Sequence, residues 1–350
     1  GSPTAETGLP DADATAYYGK DAADARYFQA AAPTPADRTV YAIDAKGRLK
    51  TLGNTDGGTT DATFAPEMNF VTLGHSDAAT PPVYTLYKTG GADIRRVRTV
   101  EDNEAYKAAT GRLGVVKEFF TIPASGASPA LKAYIVKPEN FNAAKKYPVI
   151  MSQYSGPGSQ SVLNRWSLDW EQYFAAHGFI VVCVDGRGTG GRGAEFMQTV
   201  YRRLGRLETE DQTAAARYIA SMPWADPARI GIYGWSYGGY EALMCATQGH
   251  ATPFAAAVAV APVTDWRLYD TVYAERFMLT PGQNDDGYTE SAPLNRAASL
   301  ACHLLMMYGT ADDNVHPANT LEFVARLQNE GLMCDMFVFP NMNHSINGCR

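Results

Sequence analysis

The segment Gly231-Ile-Tyr-Gly-Trp-Ser-Tyr-Gly-Gly-Tyr240 sets Ser236 in the pattern Gly-x-Ser-x-Gly, after a short apolar run and ahead of a helix-like stretch. Small residues on both sides of a serine permit the sharp strand-to-helix turn that exposes its hydroxyl. A serine is a poor nucleophile alone and needs a base and an orienting carboxylate. Candidates for both follow in Gly309-Thr-Ala-Asp-Asp-Asn-Val-His316 and Pro340-Asn-Met-Asn-His344, each just after an apolar run. The chemistry these residues point to is acyl transfer through a serine ester.

Either Asp312 or Asp313 can supply the carboxylate, and spacing alone does not separate them. One of the pair is expected to cap the turn instead. For the base, His344 is preferred over His316, which shares a loop with the aspartates and sits too near them in sequence to bridge acid and serine. Asp312, Asp313 and His316 have no second ligand cluster to make a metal site, so no metal or organic cofactor is expected. Tyr237, next after the serine, should offer its backbone N–H to a developing oxyanion. A second donor belongs to the loop Ser152-Gln-Tyr-Ser-Gly-Pro-Gly158, as a backbone N–H or as the phenol of Tyr154. The bland alternative for Tyr154 is packing under the Gly-Pro turn. Trp266, Tyr269 and Tyr273 fall at helix-neighbour spacings in an aromatic stretch after another apolar run. Such a stripe is usually core; beside a nucleophile it can wall a compact apolar pocket. Asp185-Gly-Arg-Gly-Thr-Gly190 lacks the frame of a phosphate or dinucleotide loop and reads as a tight connection.

These residues must be carried by rigid elements. Strand-like runs occur at Val115–Thr121, Leu131–Val136, Pro148–Ser152, Ile180–Asp185, Ile230–Tyr233, Ala256–Val260, Leu304–Tyr308 and Met333–Phe339. Amphipathic helical segments between them include Asp211–Ser221, Tyr240–Thr247 and Thr320–Glu330. Nearly continuous apolar strands alternating with helices imply a mostly parallel, doubly wound sheet. Active residues then belong at the carboxyl ends of strands, and the order serine, acid, histidine is that of an α/β-hydrolase. Before about Asn103 the pattern is different: short strands such as Arg38–Ile43, Arg48–Gly53, Asn69–Gly74 and Pro82–Lys88 are separated by turns. Two comparable units, near 15–53 and 62–100, have the period of β-propeller blades. Two blades do not close a propeller, so this part is read as incomplete. A helical linker from Glu101 to Thr110 separates residues 9–104 from the catalytic region, 105–350.

The 350 residues exceed one average domain, and the composition, 45% hydrophobic and 19% charged, is globular. A net charge of −7 gives no basic surface for nucleic acid or an anionic membrane. Gly1-Ser2-Pro3 looks like a tag-cleavage scar. Cys183, Cys245, Cys302, Cys334 and Cys349 form no Cys-x-x-Cys pair, and the first four are expected to pack as small hydrophobes.

Together, Gly-Trp-Ser-Tyr-Gly-Gly-Tyr (234–240), Tyr-Ser-Gly-Pro-Gly-Ser-Gln (154–160), Asp-Gly-Arg-Gly-Thr-Gly (185–190), Arg-Arg-Leu-Gly (202–205), Val-Tyr-Ala-Glu-Arg-Phe-Met (272–278) and Gly-Thr-Ala-Asp-Asp-Asn-Val-His (309–316) resemble the dipeptidyl peptidase IV branch of the prolyl oligopeptidase family. The resemblance implies Ser236, Asp312 and His344 as the triad, with Tyr154 and the N–H of Tyr237 as oxyanion donors. It implies that Val263, Trp266, Tyr269, Tyr273 and Val315, with the Tyr237 ring, form a proline-sized pocket, and that Asn314 holds the carbonyl before the scissile residue. Such enzymes remove N-terminal dipeptides ending in proline or alanine, carry a propeller over the hydrolase domain, commonly form homodimers, and are periplasmic, secreted or anchored at the cell surface. The family's glutamate pair for the substrate amino terminus, its segment before the propeller and its terminal helix have no counterpart in this sequence. His316 is followed by Pro317, where the family more often has an aromatic or polar residue. The 350-residue chain by itself is therefore expected to show little or no exopeptidase activity.

Overall fold

Runs such as Ile180-Val-Val-Cys-Val-Asp185, rich in β-branched residues and buried at every position, can only be the centre of a sheet covered on both faces. In a computed structural model, residues 9, 12–111 and 116–347 are described; Gly1-Ser2-Pro3, Val115 and Cys349 fall outside them. The chain divides into two compact units. One takes in the described residues to Glu118 with Val162–Gln172 and Gly190–Ala194; the other comprises Phe119–Ser161, Tyr173–Thr189 and the chain from Glu195 onward.

The first unit is built on two four-stranded antiparallel sheets. β1 (Ala14–Lys20), β2 (Arg26–Ala30), β3 (Thr39–Ile43) and β4 (Leu49–Leu52) follow one another in space as in sequence. So do β5 (Thr59–Phe64), β6 (Phe70–Ser76), β7 (Val83–Gly90) and β8 (Asp93–Glu101). This is the meander that the alternating runs predict, one sheet per predicted unit. Inward residues of both sheets, among them Tyr27, Val40, Leu52, Val71 and Leu73, share one core. Helix α1 (Glu104–Thr110) occupies most of the predicted helical linker.

The second fold element is an eight-stranded sheet in the order β16-β15-β14-β13-β11-β12-β10-β9. Its strands are β9 (Lys117–Ile122), β10 (Leu131–Val136), β11 (Tyr147–Ser152), β12 (Ile180–Asp185), β13 (Ala225–Trp235), β14 (Ala256–Val260), β15 (His303–Gly309) and β16 (Asp335–Phe339). β12, β11, β13, β14, β15 and β16 run parallel, while β10 pairs antiparallel with β12. The helices are α2 (Trp170–Ala176), α3 (Ala194–Gln198), α4 (Arg206–Ala220), α5 (Tyr237–Ala246), α6 (Thr271–Met278), α7 (Asp285–Glu290) and α8 (Ala318–Asn329). Val149, Met151, Val182, Ile230, Ile232 and Met306 of the sheet pack with Ile219 of α4, Leu243 of α5 and Phe323 of α8 in the main core. Because the central strands are parallel, their carboxyl ends all open on the same side.

Candidate active site

Ser236 stands between β13 and α5 with φ 61° and ψ −116°, a conformation that costs about 1–3 kcal/mol and persists only where surroundings enforce it. The enforcement is visible. The Ser236 N–H donates to the Val260 carbonyl at 2.8 Å, tying the turn to the end of neighbouring β14, and its own carbonyl accepts from Tyr240 N–H at 3.0 Å. The glycines answer to close approach. A Cβ on Gly234 would stand 2.1 Å from the Gly238 carbonyl oxygen, and one on Gly238 would stand 2.6 Å from that of Gln153. Both neighbours are backbone. Gly238→Ala is therefore expected to push the Gln153–Tyr154 loop aside and lower kcat/KM about a hundredfold, the scale of a misplacement near 1 Å. Unchanged kcat/KM on the full-length protein would dispose of this account of the turn.

Asp312 lies beyond β15 and His344 beyond β16. Two hydrogen bonds knit these loops: Ala311 N–H to the Met342 carbonyl at 3.0 Å, and Asn341 N–H to Thr310 Oγ1 at 2.8 Å. His344 Nδ1 meets Asp312 Oδ2 at 2.8 Å. The other oxygen of Asp312, Oδ1, accepts from the Asn314 and Val315 N–H groups at 3.0 and 2.9 Å. Asp312 is buried and Asp313 exposed, so the structure puts Asp312 against the histidine and leaves Asp313 in water. The carbonyl of His344 accepts from the indole N–H of Trp235 at 3.1 Å, which holds the histidine beside the residue preceding Ser236. His316 faces elsewhere, its Nδ1 accepting from Ala318 N–H at the start of α8. With Nδ1 on the carboxylate, Nε2 of His344 is the nitrogen left for proton transfer.

Tyr237 opens α5, so its N–H has no partner in the helix ladder. Its ring is buried, 6.1 Å centroid to centroid from that of Tyr154. The Tyr154 ring also packs on Gly156, yet it is 38% exposed and its hydroxyl makes no hydrogen bond among the described residues. The Tyr154 side chain is thus packed at its base and open at its tip. Val263, Trp266, Tyr269, Tyr273, Val315 and the Tyr237 ring belong to a single apolar cluster. The Trp266 and Tyr273 rings stack at 5.8 Å, and Tyr237 tilts against Trp266 at 5.4 Å. Asn314 Oδ1 accepts from the Tyr269 hydroxyl at 2.8 Å, which leaves the Asn314 NH2 as the free donor.

Several buried polar groups that shape the site escape a sequence reading. Gln153 Nε2 donates to the Gly238 carbonyl at 2.7 Å, fastening the loop after β11 to the first turn of α5. Glu208 accepts from the Tyr237 hydroxyl at 2.9 Å, and Glu241 from Thr209 Oγ1 at 2.9 Å. Burial raises the pKa of Glu208 to about 7 and that of Glu241 well above its ordinary range. Acidic residues in helices ordinarily face water, so neither glutamate stands out in the sequence. Asp211 holds Arg187 in a two-point ion pair, with Arg187 Nη2 at 2.7 Å from Oδ1, and so braces the connection after β12.

A nucleophile turn, a carboxylate–histidine pair and a mostly parallel sheet define an α/β-hydrolase domain of the serine class, preceded by two propeller-type sheets. The chain belongs to the prolyl oligopeptidase family, whose profile matches residues 166–350. It is 38% identical over 327 residues to a probable dipeptidyl-aminopeptidase B of Metarhizium robertsii, and 36% over 326 residues to that of Aspergillus oryzae. Each alignment covers 91% of this chain, but only 35% of the first relative and 36% of the second. Among solved structures, Porphyromonas gingivalis dipeptidyl peptidase 4 superposes with a TM-score of 0.92 at 46% identity, over 97% of this chain and 48% of that one. A putative dipeptidyl aminopeptidase IV from Bacteroides ovatus gives 0.84 at 29% identity, over 95% and 47%. The chain thus spans about a third of the curated relatives and about half of the solved chains.

Proposed function

We propose that this protein is a serine dipeptidyl peptidase that releases N-terminal dipeptides with proline or alanine in second position. The observation that carries the reading is the aromatic cluster continuous with the residue after Ser236. Tyr237 lies next to the nucleophile in sequence while its ring packs with Trp266 and through it with Tyr273, an apolar aromatic wall of the kind that suits a small apolar side chain. In this mechanism Nε2 of His344 takes the Ser236 proton as Oγ attacks the scissile carbonyl. The Tyr237 N–H and the Tyr154 hydroxyl receive the oxyanion. Collapse breaks the C–N bond, the histidine hands its proton to the leaving amine, and a dipeptidyl ester remains on Ser236. Water, deprotonated by the same histidine, then hydrolyses the ester. Asn314, with its carbonyl oxygen held by Tyr269, donates to the substrate carbonyl before the scissile residue. A homodimer and a location in the periplasm, outside the cell or on its surface belong to the same proposal, on the strength of the resemblance.

The test compares chromogenic Gly-Pro, Gly-Ala, acetyl-Ala and short-ester substrates on the full-length protein. Gly-Pro should be turned over with the highest kcat/KM and Gly-Ala next. Preference for acetyl-Ala, or hydrolysis of the ester alone, would replace the dipeptidyl reading with another specificity on the same machinery.

A further inference from the structure

Two carboxyls that the chemistry above does not use lie against the pocket wall. Glu208 in the first turn of α4 and Glu241 in the second turn of α5 are both fully buried. Among the described residues neither forms an ion pair. Taking a carboxyl out of water is strongly unfavourable unless its oxygens are served. Glu241 has Thr209 Oγ1 at 2.9 Å and Cys245 Sγ at 3.4 Å on one oxygen. Glu208 has one side-chain partner among the described residues, the Tyr237 hydroxyl, beside the backbone N–H groups of Gly205 and Glu208.

Where that bond falls is informative. Two phenols cross from the first turn of α5 to the beginning of α4. Tyr237 donates to Glu208, and Tyr240 donates to the Leu204 carbonyl at 2.8 Å. Ser236 stands at the head of the helix they tie down. Tyr237 has two duties in the proposed mechanism, since its N–H faces the oxyanion and its ring walls the pocket. Its ring has a second route of restraint through Trp266 and Tyr240, at 5.4 and 5.1 Å, but those apolar faces fix only the plane. The hydroxyl bond fixes the tip.

We propose that Glu208 is a positioning residue of this active site: by accepting from the Tyr237 hydroxyl it sets the ring that walls the substrate pocket and, through it, the oxyanion-binding N–H of the same residue. This rests on the serine-peptidase reading for what the site does. Burial, opposed by the Gly205 and Glu208 N–H groups, holds the carboxyl near a pKa of about 7, so a neutral acceptor in its place is compatible with the site.

The full-length protein carrying Glu208→Leu, Glu208→Gln, Tyr237→Phe, or Glu208→Leu with Tyr237→Phe tests this. Two readouts are taken: kcat and KM on a Gly-Pro substrate, and the second-order rate of inactivation by a fluorophosphonate, which needs Ser236 and the oxyanion donors but no dipeptide recognition. Glu208→Leu should lower kcat/KM about thirtyfold, a fraction of what a 1 Å misplacement costs, with kcat falling and KM rising together. Inactivation should slow as well. Glu208→Gln, which keeps an accepting oxygen, should stay within about threefold of wild type. The double variant should be no worse than the poorer single one, because both remove the same bond. Losses that multiply in the double variant, or Glu208→Leu within about twofold of wild type, would overturn the proposal. Should Glu208→Leu fail to fold, Tyr237→Phe removes the bond from the other end, and wild-type rates for it overturn the proposal equally. If the wild-type protein ignores Gly-Pro substrates yet reacts with the fluorophosphonate, the dipeptidyl reading fails while the inactivation rates still decide the role of Glu208.

Discussion

Replacing Ser236 with alanine is expected to lower kcat on a Gly-Pro substrate about a millionfold, roughly 8 kcal/mol of barrier, with little change in KM. The size follows from what one atom does. In the proposed mechanism Oγ forms the ester, so its loss removes the acyl-enzyme route and leaves only binding and the oxyanion donors. The constancy of KM follows from where the pocket is anchored. Trp266, Tyr273 and Val263 come from the segment after β14, and Tyr237 is held by Glu208, so none of them depends on the Ser236 hydroxyl. That hydroxyl makes no capping hydrogen bond to α5 either. Alanine accepts the same φ of 61° no worse than serine, so the melting temperature should stay within a few degrees. Covalent labelling by a fluorophosphonate should vanish with the activity. Labelling that survives the substitution, or a kcat within a hundredfold of wild type, would remove Ser236 from its role.

The parts of this site that are legible in the sequence are those whose signal is local. β10, β12 and β14 have the residue limits expected of them, because each is a continuous apolar run bounded by polar or turn residues. The two-unit meander was legible for the same reason, in the alternation of Thr39–Ile43 or Val83–Gly90 and the turns between. Starts of elements were harder. α4 begins at Arg206, five residues before the expected Asp211, since Glu208 and Glu210 look like solvated charge although Glu208 is buried. α5 begins at Tyr237 rather than Tyr240, because Gly238 and Gly239 read as breakers when they are in fact demanded by close backbone approach. β13 begins at Ala225, and its Asp226-Pro227-Ala228-Arg229 stretch has no strand signature at all. Among site residues, Ser236 and His344 announced themselves by motif and position. The choice between Asp312 and Asp313 is a matter of which carboxylate turns inward, which no spacing encodes. Gln153, Glu208 and Glu241 bond to partners 85, 29 and 32 residues away, and these contacts exist only once the chain has folded.

The Asp312 geometry makes the second large effect a matter of donors and acceptors. Asp312→Asn is expected to lower kcat about ten-thousandfold, while Asp313→Asn leaves it within about twofold. In the wild-type arrangement Oδ1 accepts from two backbone N–H groups, at Asn314 and Val315, and Oδ2 receives His344 Nδ1. An asparagine amide must turn its oxygen toward those two fixed donors, since an NH2 cannot face them. Its NH2 is then aimed at Nδ1 of His344. Nδ1 becomes an acceptor, the ring proton moves to Nε2, and the nitrogen that should take the serine proton is already occupied. The substitution keeps the shape and the packing, so the melting temperature should move little compared with the rate. Asp313 is exposed and outside this network, which makes its substitution the matched control. Nitrogen NMR of labelled histidine should show His344 switching from the Nδ1-protonated to the Nε2-protonated tautomer in Asp312→Asn and keeping the Nδ1-protonated one in Asp313→Asn. A kcat for Asp312→Asn within tenfold of wild type, or equal losses in the two variants, would mean that the carboxylate does not set the histidine's proton and that the catalytic assignment must be drawn elsewhere.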